Sequence, residues 1–396
     1  MAIRIGLIGN VDVGKTTLLG LLTKLKSDEY DDGRGYARSK VLRFPHEIES
    51  GRTSTMTKEH TVINGKIIEF VDLAGHEPYL KTTMSGLCGS CLDYAFLIIG
   101  ANMGTIGMTK EHLNIALGLK IPLIVIITKI DIAPEKKLKE TISDLKLLLR
   151  RAGSKTFMVS INDVPTLLSC VSNPKKTPVL QISNKTGHNI NLLKEIISSL
   201  PSHYQFKNID GVNRFWIHHV YNVPGTGLVY YGIVTSGSIK KLSKIQLGPF
   251  DGKFKEVIIR SLHNDDRHDV DELHMGQTGC IALRKFVKNP IKRKNIKKGM
   301  IFCNQPQCIR EFEALILIYH HTTTIKSGYK CIIHCGLVRQ TIEFMEINTG
   351  ILRTGEHGIV KCRFVYRPEY LEENTRFMIR EGKTIALGII KNIITS

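Results

Sequence analysis

The stretch Gly9-Asn10-Val11-Asp12-Val13-Gly14-Lys15-Thr16 places four residues between two glycines and follows them with Lys and Thr. That spacing fits a phosphate-binding loop. Backbone N–H groups of a glycine-rich turn, and of the helix it opens, point at phosphate oxygens. Lys15 adds a point charge for the β- and γ-phosphates, and the Thr16 hydroxyl is placed to ligate Mg²⁺, with Thr17 continuing into the helix. The competing reading is a chance match in a glycine-rich turn. A second group is Asp72-Leu73-Ala74-Gly75-His76. A carboxylate there suits a water-mediated Mg²⁺ contact, Gly75 lets the backbone approach a γ-phosphate, and His76 can orient an attacking water. The competing reading for His76 is a helix-start histidine without chemistry. A third group is Thr128-Lys129-Ile130-Asp131. The Asp131 carboxylate can accept from the N1–H and N2–H of guanine, a donor pair that adenine lacks, while the Lys129 stem lies along the purine. Backbone groups of Ser183-Asn184-Lys185 can meet the base edge. Thr53, Ser54 and Thr55 compete for a hydroxyl contact to Mg²⁺ and the γ-phosphate.

These groups need rigid elements behind them, and the apolar pattern supplies them. Ile3, Ile5, Leu7 and Ile8 form a short buried strand before the loop. Leu18, Leu21, Leu22 and Leu25 share one face of a helix after it. Residues 27–50 are charged and glycine-containing, without a clear period, and read as a mobile region beside the phosphates. Strands are predicted at 66–71, 94–100, 121–128 and 179–182, and helices at 109–119, 134–151 and 189–200. Residues 152–178 break this alternation and read as a two-stranded excursion with solvated turns. Strands alternating with helices, opened by the phosphate loop, predict an α/β P-loop domain: a parallel sheet with flanking helices over 1–204.

After Pro201 no useful helical stripe remains. Short strands are predicted at 216–221, 228–234, 244–247, 256–262 and 279–283, separated by turn signals as in a small β-barrel. A second series follows at 312–319, 330–335, 343–348, 357–366, 377–381 and 385–390. The predicted arrangement is therefore two antiparallel β-barrels, over 205–307 and 308–396.

The formal charge is +19. The first 200 residues hold 26 basic against 19 acidic residues (+7) and the rest 29 against 17 (+12), so the excess is heavier in the second half. Such a balance suits a polyanion such as RNA, or simply a soluble basic surface. The dense basic run at 288–298 reads first as a solvated barrel loop and second as an RNA contact. No run of about 18 apolar residues occurs, so no membrane span is expected. The scattered cysteines, and an N-terminus interrupted by Arg4 and Asp12, predict free thiols in a reducing cytoplasm. Cys88 and Cys91, and Cys331 and Cys335, have metal-like spacing but no partner pair. Cys331, Ile333 and Cys335 would share one strand face, which favours packing.

The ordered set of motifs resembles the translational GTPases of the elongation factor Tu and elongation factor 1-alpha type, and within them the branch called GTP-binding protein 1 and 2. The similarity lies in Glu49-Ser-Gly-Arg-Thr-Ser54, Asp72 through Thr83, Gly107-Met-Thr-Lys-Glu-His112 and Thr128-Lys-Ile-Asp131. It continues at Val223-Pro-Gly-Thr-Gly227, His321-Thr-Thr-Thr-Ile325 and Arg363-Phe-Val-Tyr-Arg-Pro-Glu-Tyr370. The resemblance implies a GTP-binding domain followed by two barrels, with GTP as substrate, GDP as product and Mg²⁺ as cofactor. It places the metal-binding switch threonine at Thr53 and the hydrolysis-promoting histidine at His76. It also implies work with the ribosome and aminoacyl-tRNA, or with RNA-decay factors, by a monomer. Three departures stand out. Thr128 replaces the usual Asn and can make fewer loop-bridging hydrogen bonds. Asn10 and Val13 stand where elongation factors usually carry histidines. Arg52 replaces an apolar residue that, with one like Val11, screens the catalytic histidine.

Overall fold

The computed structural model describes residues 2–26, 29–42, 45–50, 53, 56–150, 157–173, 175–284 and 291–394. They form two compact units, Met1–Tyr204 and Gln205–Ser396. The first is built on strands β1 (Ile3–Gly9), β2 (Thr57–Ile63), β3 (Lys66–Asp72), β4 (Tyr94–Gly100), β5 (Leu123–Thr128), β6 (Phe157–Ser160) and β7 (Lys176–Gln181). β1 and β4 are buried at every position, as strands in the middle of a sheet covered on both faces must be, and Arg4 on β1 is the one charged residue in them. The sheet order is β2-β3-β1-β4-β5-β7-β6, and only β2 runs antiparallel to its neighbour. Helices α1 (Lys15–Thr23), α2 (Tyr36–Ser39), α3 (Pro45–Ser50), α4 (Leu80–Gly89), α5 (Met108–Gly118), α6 (Glu135–Leu149), α7 (Val164–Val171) and α8 (Ile190–Ser199) flank it.

One charged cluster is sealed into this sheet. Arg4 on β1 pairs with Glu69 on β3 at 3.1 Å, and Lys58 on β2 reaches the other Glu69 oxygen at 2.8 Å. Burial pushes the Glu69 carboxyl up, but the charges of Lys58 and Arg4 outweigh it and hold the group at about 2.

Two stretches depart from the sequence reading. The excursion expected at 152–178 is instead β6 and α7, and β6 extends the main sheet in parallel with β7. Asp163 caps α7 by accepting from Thr166 N at 2.7 Å, Pro165 lies in the first turn, and Leu167 and Cys170 are buried. A helix this short shows too little period to compete with its flanking turn residues. The 27–50 stretch contains α2 and α3, organised around a buried carboxylate. Asp31 accepts from Ala37 N at 2.9 Å and from Gly33 N at 3.0 Å, forming the turn that starts α2.

In the second unit six strands close a barrel: Arg214–Val223, Gly227–Ser236, Thr278–Leu283, Lys253–Asn264, Lys244–Phe250 and Ile301–Cys303, in that spatial order. The closing strand Ile301–Cys303 had no sequence prediction, because three residues carry no usable period. The second closed barrel runs Glu311–His320, His357–Phe364, Val338–Ile347, Lys330–Cys335, Arg376–Glu381 and Thr384–Ile394. Alternation is strict from Glu311 to Ile318, which buries Phe312, Ala314, Ile316 and Ile318. Val338–Ile347 starts earlier than predicted. Its buried Gln340 masks the apolar period, and the amide instead donates to Arg367 O at 3.0 Å and Glu369 Oε1 at 2.7 Å. Cys331, Ile333 and Cys335 face the barrel interior, within 3% exposure. Arg214 of the first barrel, 3% exposed, pairs with Glu372 of the second and lies 3.4 Å from Tyr370 Oη. Of the basic run at 288–298, residues 288–290 lie outside the described residues. Arg293 in its remainder donates to Val220 O at 3.0 Å.

Candidate nucleotide site

The carboxyl ends of β1, β3, β5 and β7 open on one edge of the sheet, and the loops that leave them meet around a cleft of about 360 Å³. The first loop turns sharply. Gly9 has φ +145°, and a Cβ there would lie 2.2 Å from Ile98 O. Gly14 at φ +92° ends the turn and α1 begins. The loop wraps back over its own lysine, so that Lys15 Nζ donates to Asn10 O at 2.6 Å and Gly9 O at 3.1 Å. Burial lowers Lys15 to about 8, against the opposing pull of Asp72 and Asp12. Gly75 closes over this ammonium: a Cβ there would stand 2.5 Å from Lys15 Nζ and 2.6 Å from Gly9 O.

Three oxygens converge beside Lys15. Thr16 Oγ1 lies 2.7 Å from Asp72 Oδ2 and 2.8 Å from Thr53 Oγ1, and Thr53 Oγ1 lies 3.2 Å from the same Asp72 oxygen. Asp72 Oδ1 is buried without a hydrogen-bond partner among the described residues. Burial raises the Asp72 carboxyl, with Lys15 opposing. Hard oxygen donors and an orphaned carboxylate oxygen fit Mg²⁺, which takes few protein ligands alongside phosphate and water. Among the described residues no cluster of three or more His, Cys, Asp or Glu offers a competing all-protein cage. Ser54, Thr55 and Arg52 lie outside the described residues.

His76 lines the cleft, half-buried, with its Nδ1 buried and unpartnered among the described residues. Its ring meets Tyr79 edge-on at 6.1 Å. On the far side, Ser183 Oγ donates to Asp131 Oδ1 at 2.6 Å and accepts from Thr186 N at 3.1 Å and Lys185 N at 3.3 Å. The buried Thr128 hydroxyl reaches Val13 O at 2.5 Å, with Ile99 O at 3.3 Å, and so ties the base loop to the phosphate loop.

Val11, Asp12, Gly14, Lys15, Thr16, Thr17, Thr53, Gly75, His76, Lys129, Asp131, Asn184 and Lys185 line the cleft. Gly9, Asn10, Val13, Asp72, Thr128, Ile130 and Ser183 stand behind that lining. Leu73 and Ala74 are fully buried packing residues: Leu73 N donates to Leu7 O at 3.2 Å and Ala74 O accepts from Thr83 at 2.7 Å.

Two contributions were not named residue by residue from the sequence, although the 27–50 segment was placed beside the phosphates. Asp31, Gly33, Arg34, Gly35 and Arg38 also line the cleft. Their segment is fastened at both ends, because Asp31 N donates to Asn184 O at 3.0 Å and Ala37 O packs where a Cβ on Gly20 would fall. The Asp-Gly-Arg-Gly turn signal was there, but turn residues do not state what they face. The other is His112 on α5, whose Nδ1 accepts from Gly9 N at 3.0 Å. Burial, with Lys15 nearby, drives this imidazole down to about 3, so it stays neutral and able to accept. A histidine on the buried face of a predicted helix was the available signal.

With this geometry in place, likeness to known proteins can be stated. Residues 1–202 match the elongation factor Tu GTP binding domain family, and residues 305–394 the elongation factor Tu C-terminal domain. The chain is 40% identical to GTP-binding protein 1 of Xenopus laevis over 428 residues, covering 100% of this chain and 64% of that protein. It is 34% identical to GTP-binding protein 2 of Homo sapiens over 425 residues, covering 99% of this chain and 69% of that protein. Two solved structures share the fold. Translation elongation factor SelB from Methanococcus maripaludis, in complex with the GTP analogue GppNHp, gives a TM-score of 0.74 at 20% identity, covering 100% and 80% of the two chains. The S. cerevisiae Ski7 GTPase-like domain bound to GTP gives 0.76 at 13%, covering 98% and 97%.

Proposed function

From the premise that this chain belongs to the elongation factor Tu family of translational GTPases, we propose that the cleft binds GTP and transfers its γ-phosphoryl group to water. Asp131, held by Ser183, accepts from guanine N1–H and N2–H, and the Lys129 stem covers the purine. The phosphate loop offers its N–H groups to the β-phosphate, and Lys15 exchanges its bonds to Gly9 and Asn10 carbonyls for phosphate oxygens. Thr16, Thr53 and Asp72 would hold Mg²⁺, which when bound offsets charge on the phosphate oxygens. Gly75 brings its backbone against the terminal phosphate because nothing larger fits there. His76 lines the cleft, where its imidazole can orient the attacking water.

The single observation that carries this reading is the Thr16–Thr53–Asp72 oxygen cluster beside Lys15, in the same cleft as Asp131. Single-turnover hydrolysis tests it: His76→Ala is expected to slow hydrolysis on the order of a hundredfold, with GTP affinity kept. Unchanged GTP binding by both Lys15→Ala and Asp131→Ala would contradict the site assignment.

The chain acts with RNA and the ribosome in this reading, as a cytoplasmic monomer delivering aminoacyl-tRNA. The two barrels, as domains 205–307 and 308–396, carry the larger share of the basic excess, which suits this role. Among the described residues no helix is long and apolar enough to cross a membrane. A second reading is a GTP-controlled module that recruits RNA-decay factors without carrying tRNA. It is favoured by the fold shared with a domain described as GTPase-like and bound to GTP. Purified ribosomes separate the two: strong stimulation of hydrolysis supports delivery, and none, with GTP binding intact, supports the module.

A further inference from the structure

We propose that Asn184 and Thr128 form a two-part clamp on the phosphate loop, with Asn184 acting as a positioning residue that sets how long nucleotide is retained. The inference rests on the guanine-nucleotide reading of the cleft. Thr128 has one hydroxyl hydrogen, and Val13 O at 2.5 Å takes it. The next carbonyl of the loop, Gly14 O, is approached from the other base loop, by Asn184 Nδ2 at 3.5 Å. Each base-binding loop therefore contributes one short polar side chain to one of two adjacent phosphate-loop carbonyls. Gly14 lies between them. A Cβ on it would fall 3.3 Å from Asn184 Nδ2 and 3.8 Å from Thr128 Oγ1, and its φ of +92° is a conformation that favours glycine.

Asn184 is also the point where three segments meet. Its amide faces the phosphate loop, its neighbour Ser183 holds Asp131, and its own carbonyl accepts from Asp31 N at 3.0 Å. It is only 9% exposed, yet its Oδ1 has no partner among the described residues. A buried polar atom left without a partner calls for an explanation, and a ligand in the adjoining cleft is one. Asp72 and His76, at the same cleft, also leave a buried polar atom without a partner among the described residues. A bond at 3.5 Å is at the outer limit of hydrogen bonding, as catalytic and binding contacts often are before the ligand draws them together. Bound nucleotide, held by Asp131 at one end and Lys15 at the other, pulls the two loops towards each other and shortens this contact.

The test is the release rate of fluorescently labelled GDP from the full chain. Asn184→Ala is expected to speed release roughly fivefold to tenfold, the value of one hydrogen bond. Asn184→Asp, which keeps the shape but has no N–H to donate, is expected to do the same. Adding Thr128→Asn to Asn184→Ala is expected to restore release to within about twofold, because the longer amide at 128 can reach both carbonyls. A purely structural loss at 184 would lower the unfolding midpoint without nucleotide and would not be repaired from position 128. Unchanged release in Asn184→Ala, or no rescue by Thr128→Asn, overturns the clamp. Asp131→Ala, run alongside, separates the levels. Intact GDP binding there overturns the site reading and the clamp with it. Lost binding there, with unchanged release in Asn184→Ala, overturns the clamp alone.

Discussion

In an Asp131→Asn variant the surrounding hydrogen bonds decide which way the new amide turns. Ser183 Oγ accepts from Lys185 N and Thr186 N, so its own proton is committed to Asp131 Oδ1 at 2.6 Å. In the variant only the Asn carbonyl can accept that proton. The NH₂ group is then fixed in the place of the other carboxylate oxygen, facing the base. Against guanine it sets a donor against the N1–H and N2–H donors. Two bonds to a charged acceptor are lost, each about 1.5–3 kcal/mol, so GTP should bind on the order of 10² to 10⁴ times more weakly. Xanthine carries a carbonyl where guanine carries its 2-amino group, and that oxygen accepts from the fixed amide. Xanthosine triphosphate should therefore gain affinity as GTP loses it. The assay is competition against labelled GDP by each triphosphate. Adding Ser183→Ala frees the amide to rotate, and the preference should narrow. GTP affinity within about threefold of the unmodified protein, or no gain for xanthosine triphosphate, would refute the reasoning.

Three further outcomes are expected. Glu69→Gln leaves Arg4 buried without its counter-charge and should cost about 3–5 kcal/mol at neutral pH in urea unfolding. Because the folded Glu69 pKa is depressed to about 2, its contribution is complete above the unfolded value and lost as pH falls towards 2; the variant should lose less stability in that window. His112→Phe orphans the buried Gly9 N–H and should cost about 1–3 kcal/mol, while a loss below about 0.5 kcal/mol would contradict its bracing role. Arg38 lines the cleft with no ion pair among the described residues, so Arg38→Ala should weaken GDP and GTP severalfold at low salt but leave guanosine unchanged; equal loss for all three would assign it a structural role.

The chemistry-bearing motifs were legible because their geometry is local. A phosphate loop needs its glycines, lysine and threonine within one turn, and the turn exists only with those residues in that order. The buried strand at 94–100 was legible for a similar reason, as was the one predicted at 121–128, which begins two residues later at Leu123, since a continuous apolar run has no exposed face to assign. β6, α7 and the strand Ile301–Cys303 were not, because each is too short for its period to outweigh its neighbours and is held by the sheet it joins. Sequence also marked Thr128 as a departure but could not say what offsets it. Asn184 lies 56 positions away, and only folding brings it to Gly14 O at 3.5 Å. The same holds for Asp31 with α2 and for His112 with Gly9. Local spacing marked the residues that the fold gathers at the cleft. Tertiary structure decided which others hold them there, because a hydrogen bond between distant residues depends on how the loops are packed and leaves no periodic mark in the sequence.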